Sequence, residues 1–154
     1  MFYGGRLLSH LTADDPEVTE FINLRRLNRN MVVVMDSDRS TSRTPINKTK
    51  KRILESWKNE PGFAWVTKGR EIENYVSPTA VTQALVAVAP KKTHSHLKDA
   101  FSQCIGRDAR GAPLADKVKV SHWLVEHDKL TLDELDLRTQ IRRLCDFIRE
   151  SNLL

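Results

Sequence analysis

Residues 32–38 read Val-Val-Val-Met-Asp-Ser-Asp, and this segment indicates the fold class more clearly than any other. The apolar run Val32 to Met35 predicts a short strand buried on both faces, as in a parallel sheet covered by helices. Asp36 and Asp38 follow where the strand runs into a loop, and ligand sites in open α/β sheets gather at that end of the strands. Side chains two residues apart in an extended chain share a face, so both carboxylates can point at one place. Such a pair favours a cation between its members, and Mg²⁺ prefers oxygen ligands.

The composition is that of an ordinary globular protein. The chain has 154 residues, enough for one domain with its own core, and it is 40% hydrophobic and 29% charged. No apolar run approaches the ~20 residues of a membrane span, and the N-terminal residues lack the pattern of a secretory signal. Two cysteines without metal-ligand spacing are typical of reduced thiols, so we expect a cytoplasmic protein that has no contact with a membrane. A net charge of +5 favours an anionic partner, but only mildly.

The order of predicted elements divides the chain into two regions. Strand and helix signals alternate at first, which is the rhythm of a parallel α/β sheet: strands at 1–3, 31–35 and 63–66, and helices at 17–27 and 47–59. After residue 73 the patterns are helical, at 78–89, 97–105, 114–126 and 132–152. The last of these helices also carries a capping box, Thr131 with Glu134. We therefore predict an α/β region over residues 1–77 and a helical region over residues 78–154.

A second group of acids follows the predicted strand at 63–66, namely Glu71 and Glu73. If the strands at 32–35 and 63–66 are parallel neighbours, one of these glutamates can face the aspartate pair across one strand spacing, about 5 Å. Three or four carboxylates there would hold one or two Mg²⁺ or Mn²⁺ ions, and two such ions can clamp a phosphodiester during hydrolysis. The alternative is that these acids cap helices and lie in solvent, as most Asp and Glu residues do. Spacing alone does not choose between the two interpretations.

Basic residues come directly after the aspartate pair. Their charges fit the neutralisation of DNA phosphates beside a metal site, and they are Arg39, Arg43, Lys48, Lys50, Lys51 and Arg52. The alternative is a solvated helix face, which is the favoured interpretation when these residues are considered by themselves. Zinc is not expected, because His94 with His96 and His122 with His127 have poor ligand spacing. Cys104 and Cys145 are expected to be small buried hydrophobes.

Three segments together resemble a known family. They are Val-Val-Val-Met-Asp-Ser-Asp-Arg at 32–39, Asn-Lys-Thr-Lys-Lys-Arg-Ile-Leu at 47–54 and Trp-Val-Thr-Lys-Gly-Arg-Glu-Ile-Glu-Asn-Tyr at 65–75. This set resembles the Toprim nuclease domain of the OLD-family (overcoming lysogenization defect) ATP-dependent endonucleases, and Phe-Tyr-Gly-Gly-Arg-Leu-Leu at 2–8 looks like the second strand and turn of that domain. The resemblance covers residues 2–76 and extends weakly to residues 116–120. The string Arg-Glu-Ile-Glu-Asn-Tyr is its most specific part.

The resemblance implies a fold and an activity. The fold would be a Toprim-like (Rossmann-like), mostly parallel sheet flanked by helices, followed by a helical C-terminal region. The activity would be Mg²⁺- or Mn²⁺-dependent hydrolysis of DNA phosphodiester bonds at a two-metal site in the complete domain. The metal ligands carried over by the resemblance are Asp36, Asp38 and Glu73, with Glu71 as the alternative to Glu73. Lys117 is similar in position to a lysine that stabilises transition-state charge, and Lys119 is close enough to be the alternative.

The sequence also departs from the family pattern. Toprim domains begin with a strand that ends in a metal-binding glutamate, and that strand has no counterpart here. An ATP-binding part and its phosphate loop are likewise without a match in this sequence. We therefore expect a fragment or split subunit that works with an ATPase domain supplied upstream or in trans, and the resemblance also allows a homodimer.

Two other functions fit the same residues. One is a catalytically inactive remnant that serves in binding or assembly, with the helical region docked on a partner. The other is a phosphatase of the haloacid-dehalogenase type, in which Asp36 would be the nucleophile. That enzyme type expects a hydroxyl residue soon after the acids, which Ser40 could supply, and a later acidic pair, which has no convincing match here.

Overall fold

The structure, a computed structural model, describes residues 30–58, 61–91, 99–107 and 109–152 and the separate positions 16, 18, 19 and 23. The predicted strand at 1–3, most of the predicted helix at 17–27, and His94 and His96 lie outside the described residues. The strands are β1 (Val32–Met35) and β2 (Phe63–Val66). The helices are α1 (Lys48–Ser56), α2 (Pro78–Val88), α3 (Lys117–Glu126) and α4 (Leu137–Asn152), with a 3₁₀ helix at Ile72–Tyr75.

The sheet is parallel, as the sequence predicts. β1 and β2 pair with Val32 opposite Phe63 and Met35 opposite Val66, and α1 lies between them in the chain. Within the described residues the sheet has two strands. A mixed α/β architecture with a parallel strand pair is therefore confirmed, whereas the larger Toprim-like sheet stays a prediction.

Apolar side chains on the two faces of the sheet meet different helices. Successive strand residues point to opposite faces, so Phe63 and Trp65 pack with Tyr75 and the apolar stripe of α4. Met35 packs on the other face with Ile53 and Trp57 of the α1 segment. These two clusters fix the sheet between α1 and α4.

Burial of β1 on both faces, which the apolar run predicts, is wrong at Val34, whose exposed fraction is 47%. The cluster on that side of the sheet centres on Phe63 and Trp65 of β2. The end of β1 on the same side therefore stays in solvent.

α2 and α3 pack against each other in a third apolar cluster. Leu85 of α2 is fully buried there beside Val120 and Leu124 of α3. Each helix starts at a side-chain cap: the Ser77 hydroxyl accepts from the Ala80 amide at 3.2 Å, and the Asp116 carboxylate accepts from the Val118 amide at 2.9 Å. None of the described helices combines the length and the apolarity needed to cross a bilayer.

Two predictions of helix are corrected. Residues 99–105, the described part of the predicted helix at 97–105, form turns and bends, and the Asp99 carboxylate accepts from the Phe101 amide at 2.8 Å in place of a helical bond. α4 begins at Leu137 rather than at residue 132, because Leu135 has a φ of 52° and cannot continue a right-handed helix. The Thr131–Glu134 capping box is therefore also wrong. Cys104 is buried as predicted, but Cys145 is exposed.

Candidate functional site

The loops that follow β1 and β2 remain hydrogen-bonded to each other beyond the end of the sheet. The Thr67 amide donates to the Met35 carbonyl at 2.9 Å, and the Ser37 amide donates to the Thr67 hydroxyl at 2.8 Å. One residue later, the Asp38 amide donates to the Arg70 carbonyl at 2.8 Å. These bonds hold the Asp-Ser-Asp segment against the segment that leads to the two glutamates.

Ser37 is the inward-facing residue of the Asp-Ser-Asp segment. It is buried, and its hydroxyl donates to the Gly69 carbonyl at 2.5 Å. Asp36 and Asp38, on either side of it, are half-buried and exposed respectively. The burial of the middle residue thus leaves both carboxylates on the outer side of the loop. Sequence reasoning missed this positioning residue, although an i, i+2 acid pair that shares a face requires an inward residue between its members.

Asp36 lies among the three other predicted acids. Its Oδ1 accepts from the amide of Ile72 at 2.8 Å, at the start of the 3₁₀ helix. Burial raises the pKa of Asp36, the hydrogen bond from Ile72 lowers it, and the negative charges of Glu73, Asp38 and Glu71 raise it. The structure therefore brings the four predicted acids into one neighbourhood at the carboxyl ends of the strands.

The two glutamates have different surroundings. Glu71 caps the 3₁₀ helix, and its Oε1 accepts from the Cys104 amide at 2.7 Å. The Oε1 of Glu73 accepts from the Lys117 ammonium, whereas the Oε2 of Glu73 is buried without a hydrogen-bond partner in the described residues. Glu73 therefore has the oxygen that is more available to a ligand.

Lys117, the first residue of α3, is the lysine that meets the acids. Its Nζ lies 2.5 Å from Oε1 of Glu73 and 3.4 Å from Oε2 of Glu71. Burial lowers the pKa of Lys117, but the hydrogen bond and charge of Glu73, together with those of Glu71, raise it above its ordinary value. Lys117 is therefore an ammonium at neutral pH. Lys119 has an exposed side chain, and no ion pair of that side chain is found in the part of the chain that the structure describes.

Lys50 does not share the exposed basic face of α1. It is 2% exposed, and its ammonium donates to the Asp38 carboxylate. Helical spacing could have predicted the burial of Lys50. Residues 50, 53 and 57 stand at i, i+3 and i+7 on one helix face, and the two apolar members of this set, Ile53 and Trp57, are both buried.

The other predicted DNA-binding residues lie at the surface or on the loops. Arg39 donates to the Lys68 carbonyl at 2.9 Å, and its guanidinium lies 5.7 Å from the ring centroid of Phe101. Arg43, Lys48 and Lys51 are exposed. These three side chains keep their charges in solvent, where a polyanion could reach them.

The side chains of this neighbourhood are oxygen donors, the type of ligand that a hard divalent cation prefers. The four carboxylates supply only oxygen ligands, and a positive ion would relieve their mutual repulsion. The buried Oε2 of Glu73 has no hydrogen-bond partner among the residues that the structure describes. The ammonium groups of Lys50 and Lys117 already form ion pairs with three of these carboxylates. As the side chains stand, no three His, Cys, Asp or Glu residues among those described are grouped closely enough to hold a metal ion. The residues that would hold one are Asp36, Asp38 and Glu73, with Glu71 as the alternative.

No protein-family model, no curated protein and no solved structure matches this chain.

Proposed function

We propose that this chain is a Toprim-like region of an OLD-type ATP-dependent endonuclease and takes part in the Mg²⁺- or Mn²⁺-dependent hydrolysis of DNA phosphodiester bonds. One observation carries the proposal. The loops after two parallel strands hold Asp36 against the start of the 3₁₀ helix that carries Glu73, within range of the charges of Asp38 and Glu71, at the edge of the sheet where ligand sites gather. Lys117 adds a fixed positive charge beside the glutamates.

Each residue has a distinct role in the proposed reaction. Asp36, Asp38 and Glu73, with Glu71 as the alternative to Glu73, would hold one or two divalent cations. Such cations would polarise the phosphate and lower the pKa of a water nucleophile. Lys117 stabilises the negative charge that develops on the phosphate oxygens. The exposed side chains of Arg43, Lys48 and Lys51 bind the DNA backbone, with Arg39 beside them.

Partners follow from the same proposal. An ATPase domain or subunit, encoded upstream or supplied in trans, completes the active protein, and a homodimer is one arrangement in which it could work. The setting would be the cytoplasm, where reduced cysteines and DNA occur together.

A second candidate function is binding or assembly without catalysis. The observation in its favour is that Lys50 pairs with Asp38 and Lys117 pairs with both glutamates, so two of the four carboxylate charges are balanced without a metal. In that role the acids and lysines would form a stabilising network at the edge of the sheet. The phosphatase alternative gains no comparable support from the described residues.

Nicking of supercoiled plasmid with MnCl₂ separates these functions. We expect nicking by the unmodified chain, alone or co-expressed with an ATPase encoded upstream, and loss of nicking in Asp38→Ala, because the variant lacks a metal ligand. Glu55→Ala is the matched control, since Glu55 is an exposed acid of α1 that pairs only with Lys58 among the described ion pairs. Equal nicking by the unmodified chain and Asp38→Ala, or none by either with the ATPase present, would contradict the nuclease proposal.

A further inference from the structure

A cavity of about 340 Å³ lies beside α3 and is lined by side chains of that helix, of α2 and of the 3₁₀ helix. Its floor belongs to the cluster in which α2 and α3 pack, and the buried floor residues are Val81, Val120 and Leu124, with Cys104 and Ile105 beside them. Small-molecule sites are concave, mostly apolar and about 300–1,000 Å³ in volume. The cavity therefore has the size and the lining of a small-molecule site.

The exposed side chains of the lining are also mostly apolar. Val118 and Val125, two turns apart on one face of α3, have exposed fractions of 63% and 64%. Ile72 and Leu130 line the same cavity and are exposed as well. An apolar group bound against these side chains would remove both surfaces from water, which is favourable.

One end of the cavity is charged, because Glu73 and Lys117 also belong to its lining. The Lys117 ammonium contacts Glu73 and Glu71, so two carboxylates share one positive charge and one negative charge remains. Oε2 of Glu73 is buried and has no hydrogen-bond partner among the residues that the structure describes. Because a buried acceptor without a donor is costly, this end of the cavity favours a ligand group that carries a positive charge and an N–H donor.

An anionic ligand group fits the charged end less well. The Lys117 ammonium already contacts two carboxylates. The first amides of α3, which could otherwise bind an anion, point to the Asp116 carboxylate, with the Val118 amide at 2.9 Å and the Lys119 amide at 3.4 Å. The ammonium and the helix N-terminus thus both have negative partners within the chain.

We propose that this cavity is a binding site for a small organic amine, whose apolar body packs on the buried floor and whose protonated amino group lies at the Glu73 carboxylate. The amino group supplies a donor beside a carboxylate that has an unpartnered oxygen, and it balances the negative charge that Lys117 leaves. The inference goes beyond the nuclease proposal and does not depend on it, because it involves neither a metal ion nor a phosphodiester.

Titration calorimetry with three ligands that share a phenylalkyl body tests the class of ligand. Phenylbutylamine is cationic at neutral pH, phenylbutanol is neutral and phenylbutyrate is anionic, and EDTA in the buffer keeps metal ions out of the measurement. We expect the amine to bind at least about tenfold more tightly than phenylbutyrate, because only the amine gains a charge-assisted hydrogen bond. Phenylbutyrate binding that equals or exceeds amine binding, or binding of none of the three, would overturn the proposal.

Ser121→Phe tests whether the amine binds in this cavity. Ser121 belongs to the lining and is exposed, so a phenylalanine ring there is expected to fill part of the cavity and to abolish amine binding. His122→Phe is the matched control, because His122 is the next residue of α3, is exposed and does not line the cavity. Loss of amine binding in both variants, or in neither, would place the bound amine elsewhere and overturn the assignment.

Glu73→Gln tests the charged end of the cavity, and it decides the question if Ser121→Phe does not fold. Glutamine keeps the shape of the side chain and removes its charge, so the amine is expected to bind about tenfold more weakly while phenylbutanol binds as before. Glu55→Gln is the control, since Glu55 is an exposed acid of α1 outside the lining, and its affinity for the amine should stay unchanged. Unchanged amine binding in Glu73→Gln, or equal losses for the amine and the alcohol, would contradict a carboxylate that recognises the amino group.

Discussion

Replacement of Lys117 by methionine is expected to lower the rate of DNA cleavage by about 10²- to 10³-fold, the usual cost of removing one preorganised charge from a transition state. The Lys117 ammonium lies 2.5 Å from a Glu73 oxygen, and the pKa of Lys117 is raised by the carboxylates around it. Methionine keeps the length of the side chain but not the charge. Affinity for Mn²⁺ is expected to stay the same or to tighten, because a positive charge leaves the neighbourhood of the ion.

Lys119→Met is the matched control for this substitution. Both lysines lie in the first turn of α3, and Lys119 is exposed. Initial rates of plasmid nicking, measured for the three proteins with saturating MnCl₂, should fall only for Lys117→Met. A loss in Lys119→Met that equals or exceeds the loss in Lys117→Met would show that the two lysines are assigned the wrong way round.

Replacement of Gly62 by alanine is expected to lower the free energy of unfolding by about 3 kcal/mol or more, combining left-handed strain with a backbone clash. Gly62 has a φ of 86°, and a Cβ built on it would lie 2.0 Å from the Met31 carbonyl oxygen. Met31 and Gly62 immediately precede β1 and β2. The alanine methyl would therefore push apart the ends of the strands at which their pairing begins.

Gly111→Ala isolates the strain from the clash. Gly111 has a nearly equal φ of 79°, but a Cβ built there meets nothing within 4 Å. The cost of this substitution is expected to be only about 1 kcal/mol. Urea unfolding followed by circular dichroism measures both variants, and equal losses at the two positions would contradict the close approach of the chain at Gly62.

The strand pair could be predicted because its signals are local. Short apolar runs predict strands at 31–35 and 63–66, and the structure has β1 at Val32–Met35 and β2 at Phe63–Val66. Parallel pairing then placed both acidic segments at one edge of the sheet, which is where the structure has them.

The elements that were predicted wrongly depend on backbone and tertiary features that cannot be seen in the spacing of hydrophobic residues. The positive φ of Leu135 delays the start of α4, and the Asp99 carboxylate accepts from the Phe101 amide, which a helix would have bonded to a backbone carbonyl. Val34 is exposed because the helix on its side packs on the aromatic residues of β2, which is a tertiary effect.

The sequence draws attention to the charged residues of the candidate site, but not to its uncharged positioning residues or to the burial of one of its lysines. Ser37 and Thr67 position the aspartates through hydrogen bonds to the neighbouring loop, and neither carries a charge that would draw notice in a sequence. The role of Lys50 depends on which face of α1 is buried. The pattern Lys48, Lys50, Lys51 looks like one basic surface until the positions of Ile53 and Trp57 are considered.

Titration with MnCl₂ of the unmodified chain and of Asp36→Asn tests directly whether the carboxyl ends of the strands form a metal site. Asparagine keeps an oxygen that can accept from the Ile72 amide and removes only the charge. Because burial and neighbouring carboxylates raise the pKa of Asp36, its ionisation costs more free energy in the folded protein than in the unfolded chain. Removal of the charge is therefore expected to leave the melting temperature of the metal-free variant at or above that of the unmodified chain. Asp133→Asn, an exposed acid that pairs with Arg138, is the control. We predict that the unmodified chain and Asp133→Asn bind Mn²⁺ and that Asp36→Asn loses the binding, whereas equal binding by all three proteins, or binding by none, would contradict a metal site at the carboxyl ends of the strands.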